Sequence, residues 1–176
     1  PCIALWCGNN EIEVAWNNWG WQDQYGYSEQ DSIEIWDNYA SIFQELLPKL
    51  VAEYHAGASY TSTSPLSNWG TAENFDHSSM HYWGVWHSRE PFENFETNIG
   101  RFMVEYGFQS YPEISTLQTV MAESSMSLNS PLMAHRQKSY IGNGLILEHI
   151  NQYFDAPGSF EEFVDLSQKT QALGMQ

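Results

Sequence analysis

The sequence predicts an α/β fold assembled from parallel β/α units, and three observations carry that reading. Short apolar runs recur through residues 3–104, each stopping at Gly, Asn, Pro or an acidic residue, as strands covered on both faces do. Between them lie stretches whose apolar residues recur three and four apart, the spacing of a helix with one buried face. Strands alternating with helices build parallel sheets, and four such strands make half of an eight-stranded barrel.

Ile3–Cys7 is the first strand, ended by Gly8-Asn9-Asn10. A Trp- and Asn-rich loop containing Trp16-Asn17-Asn18-Trp19-Gly20-Trp21 follows, with a helical turn near residues 12–16. Asp31-Ser32 can cap the clearest helix, which carries Ile35, Trp36, Tyr39, Ile42, Phe43, Leu46 and Leu47; Pro48 is expected to end or kink it, with residues 50–55 restarting. Ser59–Ser64, rich in Tyr and Thr and stopped by Pro65, is the second strand, and Met80–His87 is the third. Pro91–Glu96 opens a short helix, and Arg101–Val104 is the fourth strand, ending at Glu105. Residues 114–126, 130–153 and 159–173 read as helices, split by Asn129-Ser130-Pro131 and Ala156-Pro157-Gly158.

At 176 residues the chain can form one domain with a sizeable core. Six Lys and Arg against 22 Asp and Glu give a net charge of −16, which argues against nucleic acid or an anionic membrane surface as partner. Aromatics make up 15% and charged residues only 16%, so this is no disordered acidic tail; eight Trp and ten Tyr suit a large core or a surface that stacks on sugar rings. No apolar run approaches the roughly 20 residues that span a bilayer, so membrane insertion is not expected. Cys2 and Cys7, on opposite faces of one strand, are expected to be buried free thiols. The chain opens at the edge of a strand, as though cut from a longer polypeptide.

Two acidic residues have distinctive settings. Glu11 closes the first apolar run and Glu105 the fourth, so each carboxylate would project from a strand end, where barrels keep their chemistry. Hydrolysis of a glycosidic bond with retention needs two carboxyl groups roughly 5–5.5 Å apart. Most of the 22 acidic residues are expected to be solvated surface groups, but a Glu preceded by Asn-Asn or followed by Tyr-Gly at a strand mouth is less typical. His77, His81 and His87 fit no compact zinc spacing, and the two-carboxylate mechanism needs neither metal nor cofactor.

The segments Ile3-Ala4-Leu5-Trp6-Cys7-Gly8-Asn9-Asn10-Glu11 and Arg101-Phe102-Met103-Val104-Glu105-Tyr106-Gly107-Phe108-Gln109-Ser110 resemble the fourth and seventh barrel strands of β-mannosidases of glycoside hydrolase family 2. That resemblance implies part of a (β/α)8 barrel, about strands four to seven, with strands one to three, strand eight and the family's other domains absent from residues 1–176. It makes Glu11 the acid/base, Glu105 the nucleophile and Asn10 a partner of the sugar's 2-hydroxyl. It extends to Trp16–Trp21 and to His81-Tyr82-Trp83-Gly84-Val85-Trp86-His87; Trp19, Trp69 and Trp83 are candidate walls of the sugar pocket, with a place in the core as the alternative for each, and His81 is a candidate polar contact to sugar. The implied activity is retaining exo-hydrolysis of terminal β-mannosides, on oligosaccharides or glycoconjugates, in a periplasmic, secreted or lysosomal setting. A different family 2 specificity, such as β-galactosidase, β-glucuronidase or exo-glucosaminidase, is the nearest alternative. A non-catalytic carbohydrate-binding module and an acidic interaction domain follow.

Overall fold

The computed structural model describes residues 2–68 and 79–176. It divides into two units, one of Pro1–Tyr82 with Ile99–Glu105 and the other of Trp83–Asn98 with Tyr106–Gln176.

Short parallel strands organise the first unit. β1 (Trp6–Cys7) pairs in parallel with β2 (Tyr60–Thr61), Trp6 opposite Tyr60, and an isolated parallel bridge from Asn10 to Ser64 prolongs the ladder. A parallel pair needs a crossover, and here it is helical. α1 (Ile12–Asn18), α2 (Trp21–Tyr25) and α3 (Glu29–Ala40) lead through a π-helical segment, Ser41–Leu46, into α4 (Leu47–Tyr54). A second sheet has the order β3-β4-β5, made of β3 (Ser67–Asn68), β4 (Met80–Tyr82) and β5 (Met103–Tyr106); β3 and β4 are parallel, with Asn68 opposite His81. Met80, His81 and Tyr82 are all buried, so β4 lies inside this unit.

Several elements differ from the sequence reading. The first strand is shorter than Ile3–Cys7, and Ile3 and Trp6 are exposed, because β2 is the strand paired with it among the described residues. Cys2 and Cys7 are free as expected but exposed rather than buried, for the same reason. The long helix is capped by Ser28, not by Asp31-Ser32: the Ser28 hydroxyl accepts from the Asp31 amide at 3.1 Å while the Asp31 carboxylate accepts from the Ser28 amide at 3.1 Å. Pro48 does not end the helix. Its missing amide and its ring would disrupt the bond to the carbonyl four residues back, and the wider winding just upstream absorbs that conflict, so the helix runs on to Tyr54. Trp36, Tyr39, Phe43 and Leu47 turn inward, whereas Ile35, Ile42 and Leu46 are exposed.

The second unit is helical. The third predicted strand stops at Tyr82, and residues expected to continue it form α5 (Gly84–His87), whose His87 amide donates to the Trp83 carbonyl at 2.7 Å. His81 and His87 therefore share no strand face. α6 (Asn94–Thr97) and α7 (Ile114–Gln118) follow, then a 3-10 turn at Glu123–Ser125. α8 (Pro131–Arg136) has Ser130 as its cap and Pro131 in its first turn. α9 (Gly142–Tyr153) and α10 (Phe160–Met175) complete the unit; α10 begins with the Ser159 hydroxyl accepting from the Glu162 amide. The expected helix over 130–153 is thus two, since Gln137 is extended and Gly142 has φ +34°. Leu145, Ile146 and Ile150 of α9 and Phe163 and Val164 of α10 form the core, with the buried His149 against Phe92 and Phe108. Among the described residues no helix is long and apolar enough to cross a membrane.

Candidate active site

Glu11 stands where the β1–β2 ladder ends. The Gly8 amide donates to the Thr61 carbonyl at 3.0 Å, the Ser64 amide to the Asn9 carbonyl at 3.0 Å, and the Glu11 amide to the Ser64 carbonyl at 2.8 Å. Gly8 is required by close approach: a Cβ there would lie 2.4 Å from the Ser62 carbonyl oxygen and 2.6 Å from the Tyr60 hydroxyl.

The Glu11 backbone is left-handed, at φ 59° and ψ 5°, and it occupies the N-cap of α1 without a side-chain cap bond. A non-glycine residue in that conformation costs roughly 1–2 kcal/mol, so the surroundings must impose it. Asn9 takes over the capping. Its carbonyl oxygen accepts from the Ile12 amide at 3.2 Å and the Thr63 hydroxyl at 2.9 Å, while its amide donates to the Ser62 carbonyl at 2.9 Å and the Tyr39 hydroxyl at 3.1 Å. Tyr39 in turn donates to Glu13 at 3.1 Å, and burial pushes the pKa of its hydroxyl up, which keeps it a donor. Relieved of capping, the Glu11 carboxylate is free to turn away from the helix.

It turns to His81. The Glu11 Oε1 atom lies 2.9 Å from His81 Nδ1, and Glu105 Oε2 lies 3.2 Å from the same nitrogen. His81 is 1% exposed, and its other nitrogen, Nε2, lies 2.9 Å from the Ser64 hydroxyl. The carboxylate side chains keep 24% and 33% exposure for Glu11 and Glu105, so both reach a solvent-facing side of the cluster while the imidazole backs them. Glu105 is on β5, where alternation sets it and Met103 against the exposed Val104 and Tyr106. The donor atoms of Glu11, His81 and Glu105 all lie within 4.8 Å of one another, close enough to hold a cation, although 2.9 and 3.2 Å are ordinary N–H to carboxylate distances.

Of the residues singled out from sequence, Glu11, His81 and Glu105 meet. Asn10 is exposed and holds the bridge to Ser64 through its backbone. Trp19 is 47% exposed and stands edge-on to Trp21. Trp83, in the second unit, is half-buried and edge-on to His87. Trp69 and His77 lie outside the described residues. Sequence reasoning missed Asn9 and Ser64. Asn9 sits beside the Asn-Glu motif and could have been suspected, whereas Ser64 carries no signal in a strand already rich in Ser and Thr.

No family model matches the chain. It is 36% identical over 122 residues to β-mannosidase B of Aspergillus fumigatus, an alignment covering 66% of this chain and 14% of that protein. Against the β-mannosidase of Capra hircus it is 31% identical over 193 residues, covering 100% of this chain and 21% of that protein. The crystal structure of a β-D-mannosidase from Dictyoglomus thermophilum superposes with a TM-score of 0.78 at 28% identity, covering 99% of this chain and 20% of that one. The chain is related to the β-mannosidases. It spans about a fifth of their length at most, 21% of the goat protein and 20% of the Dictyoglomus thermophilum chain. Because the goat β-mannosidase is matched over the whole chain, Glu11, His81 and Glu105 all fall inside the shared segment.

Proposed function

We propose that the chain is part of the (β/α)8 catalytic barrel of a retaining exo-β-mannosidase, contributing about strands four to seven. The observation that carries this reading is the meeting of Glu11 and Glu105, 94 residues apart in sequence, with carboxylate oxygens within 4.8 Å across one buried histidine. Oxygens this close favour the shorter carboxyl separation of retaining glycosidases, roughly 5–5.5 Å, over the roughly 6.5–9.5 Å that leaves room for water in inverting ones.

In the first step a Glu105 oxygen attacks the anomeric carbon of a terminal β-D-mannose, the bond to the leaving oxygen breaks, and Glu11 gives that oxygen its proton. In the second, Glu11 takes a proton from water as the water oxygen attacks the same carbon, releasing Glu105 as a carboxylate. Asn10 would hold the 2-hydroxyl, and Trp19 would stand against the sugar as an aromatic wall. The remaining strands and the other domains belong to the full-length parent, which acts on β-mannosides of oligosaccharides or glycoconjugates in a periplasmic, secreted or lysosomal setting. Another family 2 specificity would use the same pair on a different sugar.

Glu105→Ala in the parent is expected to abolish turnover of an activated aryl β-mannoside, with azide restoring reaction and giving the inverted product. Wild-type turnover by that variant overturns the reading. A panel of aryl glycosides separates mannoside from galactoside, glucuronide and glucosaminide specificity. The 176-residue chain alone is expected to be inactive, since its strand edges are open and the pocket lacks its other walls.

A further inference from the structure

We propose that His81, held by Ser64, is a positioning residue whose Nδ1 hydrogen bond follows the negative charge from one carboxylate to the other during turnover. The inference rests on the retaining mechanism proposed above.

The geometry assigns the hydrogen. Ser64 Oγ is 2.9 Å from Nε2, and Nδ1 faces two carboxyl groups at 2.9 and 3.2 Å. A bare Nδ1 lone pair pointing at an ionised carboxylate would be repelled, so Nδ1 carries the hydrogen and the Ser64 hydroxyl can donate to Nε2. His81 sits on the buried strand β4 between buried Met80 and Tyr82, so the ring is fixed and does not need to reorganise. Ser64 is fixed as well: its carbonyl and amide are both committed to the Asn9–Glu11 backbone. One residue therefore sets the ring's orientation through its side chain and the Glu11 backbone through its main chain.

Before reaction Glu105 is ionised and Glu11 holds the proton it will give away, so the stronger acceptor for Nδ1–H is Glu105. Once the glycosyl-enzyme forms, the Glu105 oxygens belong to an ester and are weak acceptors, whereas Glu11 has become the carboxylate. The same N–H, without transferring a proton and with little ring movement, then donates to Glu11. It thus supports the base that activates water in the second step.

Two measurements test this. In the 176-residue chain, nitrogen-15 NMR of the His81 ring is expected to show hydrogen on Nδ1; hydrogen on Nε2 with a bare Nδ1 overturns the proposal and requires no activity. In the full-length parent, His81→Gln removes the donor at the Nδ1 place while His81→Asn keeps an amide N–H near it. The glutamine variant is expected to slow both enzyme mannosylation, read with a poor leaving group, and demannosylation, read with a good one, by about 100-fold each. The asparagine variant should keep both within about 10-fold of wild type, on the same scale for one donor. Slowing of one step alone, or an asparagine variant no better than glutamine, overturns it. Failure of the functional reading is told apart by the Glu105→Ala result, which leaves the NMR outcome standing.

Discussion

The Glu11 amide donates to the Ser64 carbonyl at 2.8 Å, and this bond closes the parallel ladder at the point where Glu11 turns left-handed. The strain at Glu11 is therefore imposed by strand pairing on one side and by Asn9 capping on the other. Its carboxylate is aimed by a backbone that the residue itself disfavours.

A comparison of two replacements isolates that strain. Glu11→Ala and Glu11→Gly both delete the carboxylate, but only glycine is comfortable at φ 59°. The glycine variant is expected to be more stable than the alanine variant by about 1 kcal/mol in urea unfolding, on the scale of the left-handed penalty. Equal midpoints would show that the conformation carries no strain.

Gly8→Ala should disturb the ladder from inside. The added Cβ would meet the Ser62 carbonyl at 2.4 Å, a backbone atom that cannot swing aside as a side-chain tip does. The expected loss is about 1–3 kcal/mol of stability, the usual range for overpacking. A variant that unfolds at the same urea concentration as wild type would contradict the close approach.

The capping box at the start of α3 gives a pH dependence of known sign. Hydrogen bonds from the Ser28 side chain and backbone hold the Asp31 carboxyl below its ordinary value near 3.8. Because the folded value is the lower one, the contribution is present above the unfolded value and is lost as pH falls through the folded value. An NMR titration should place the Asp31 midpoint below 3.8 in the native chain, and Ser28→Ala should move it upward. A midpoint indifferent to that replacement would count against the box.

How much of this was legible in the sequence depends on which interactions decide each feature. Glu11 and Glu105 could be found because their near neighbours are unusual and belong to recurring motifs. The helix as far as Leu47 was visible from its apolar spacing, but its run past Pro48 was not, and its cap was misplaced because Ser28 and Asp31 are both good cap formers three residues apart, and only their mutual bonds choose between them. Strand lengths depend on pairing partners far away in sequence, so residues 83–87 read as strand although local bonds wind them into α5. Ser64 was invisible for a different reason: its importance lies in what it touches, namely His81 with its side chain and Glu11 with its carbonyl, and no local pattern records that.

The widened winding at Ser41–Leu46 has a consequence for how this helix can change. Deleting one residue there would let the segment wind regularly with the following turns nearly in place, whereas regular winding of all six residues would turn everything after them by up to one residue's rotation, about 100°. Leu47 and Val51 would swing away from the side on which Tyr39 reaches Asn9. The widened winding of these six residues keeps the two halves of the helix facing the same way.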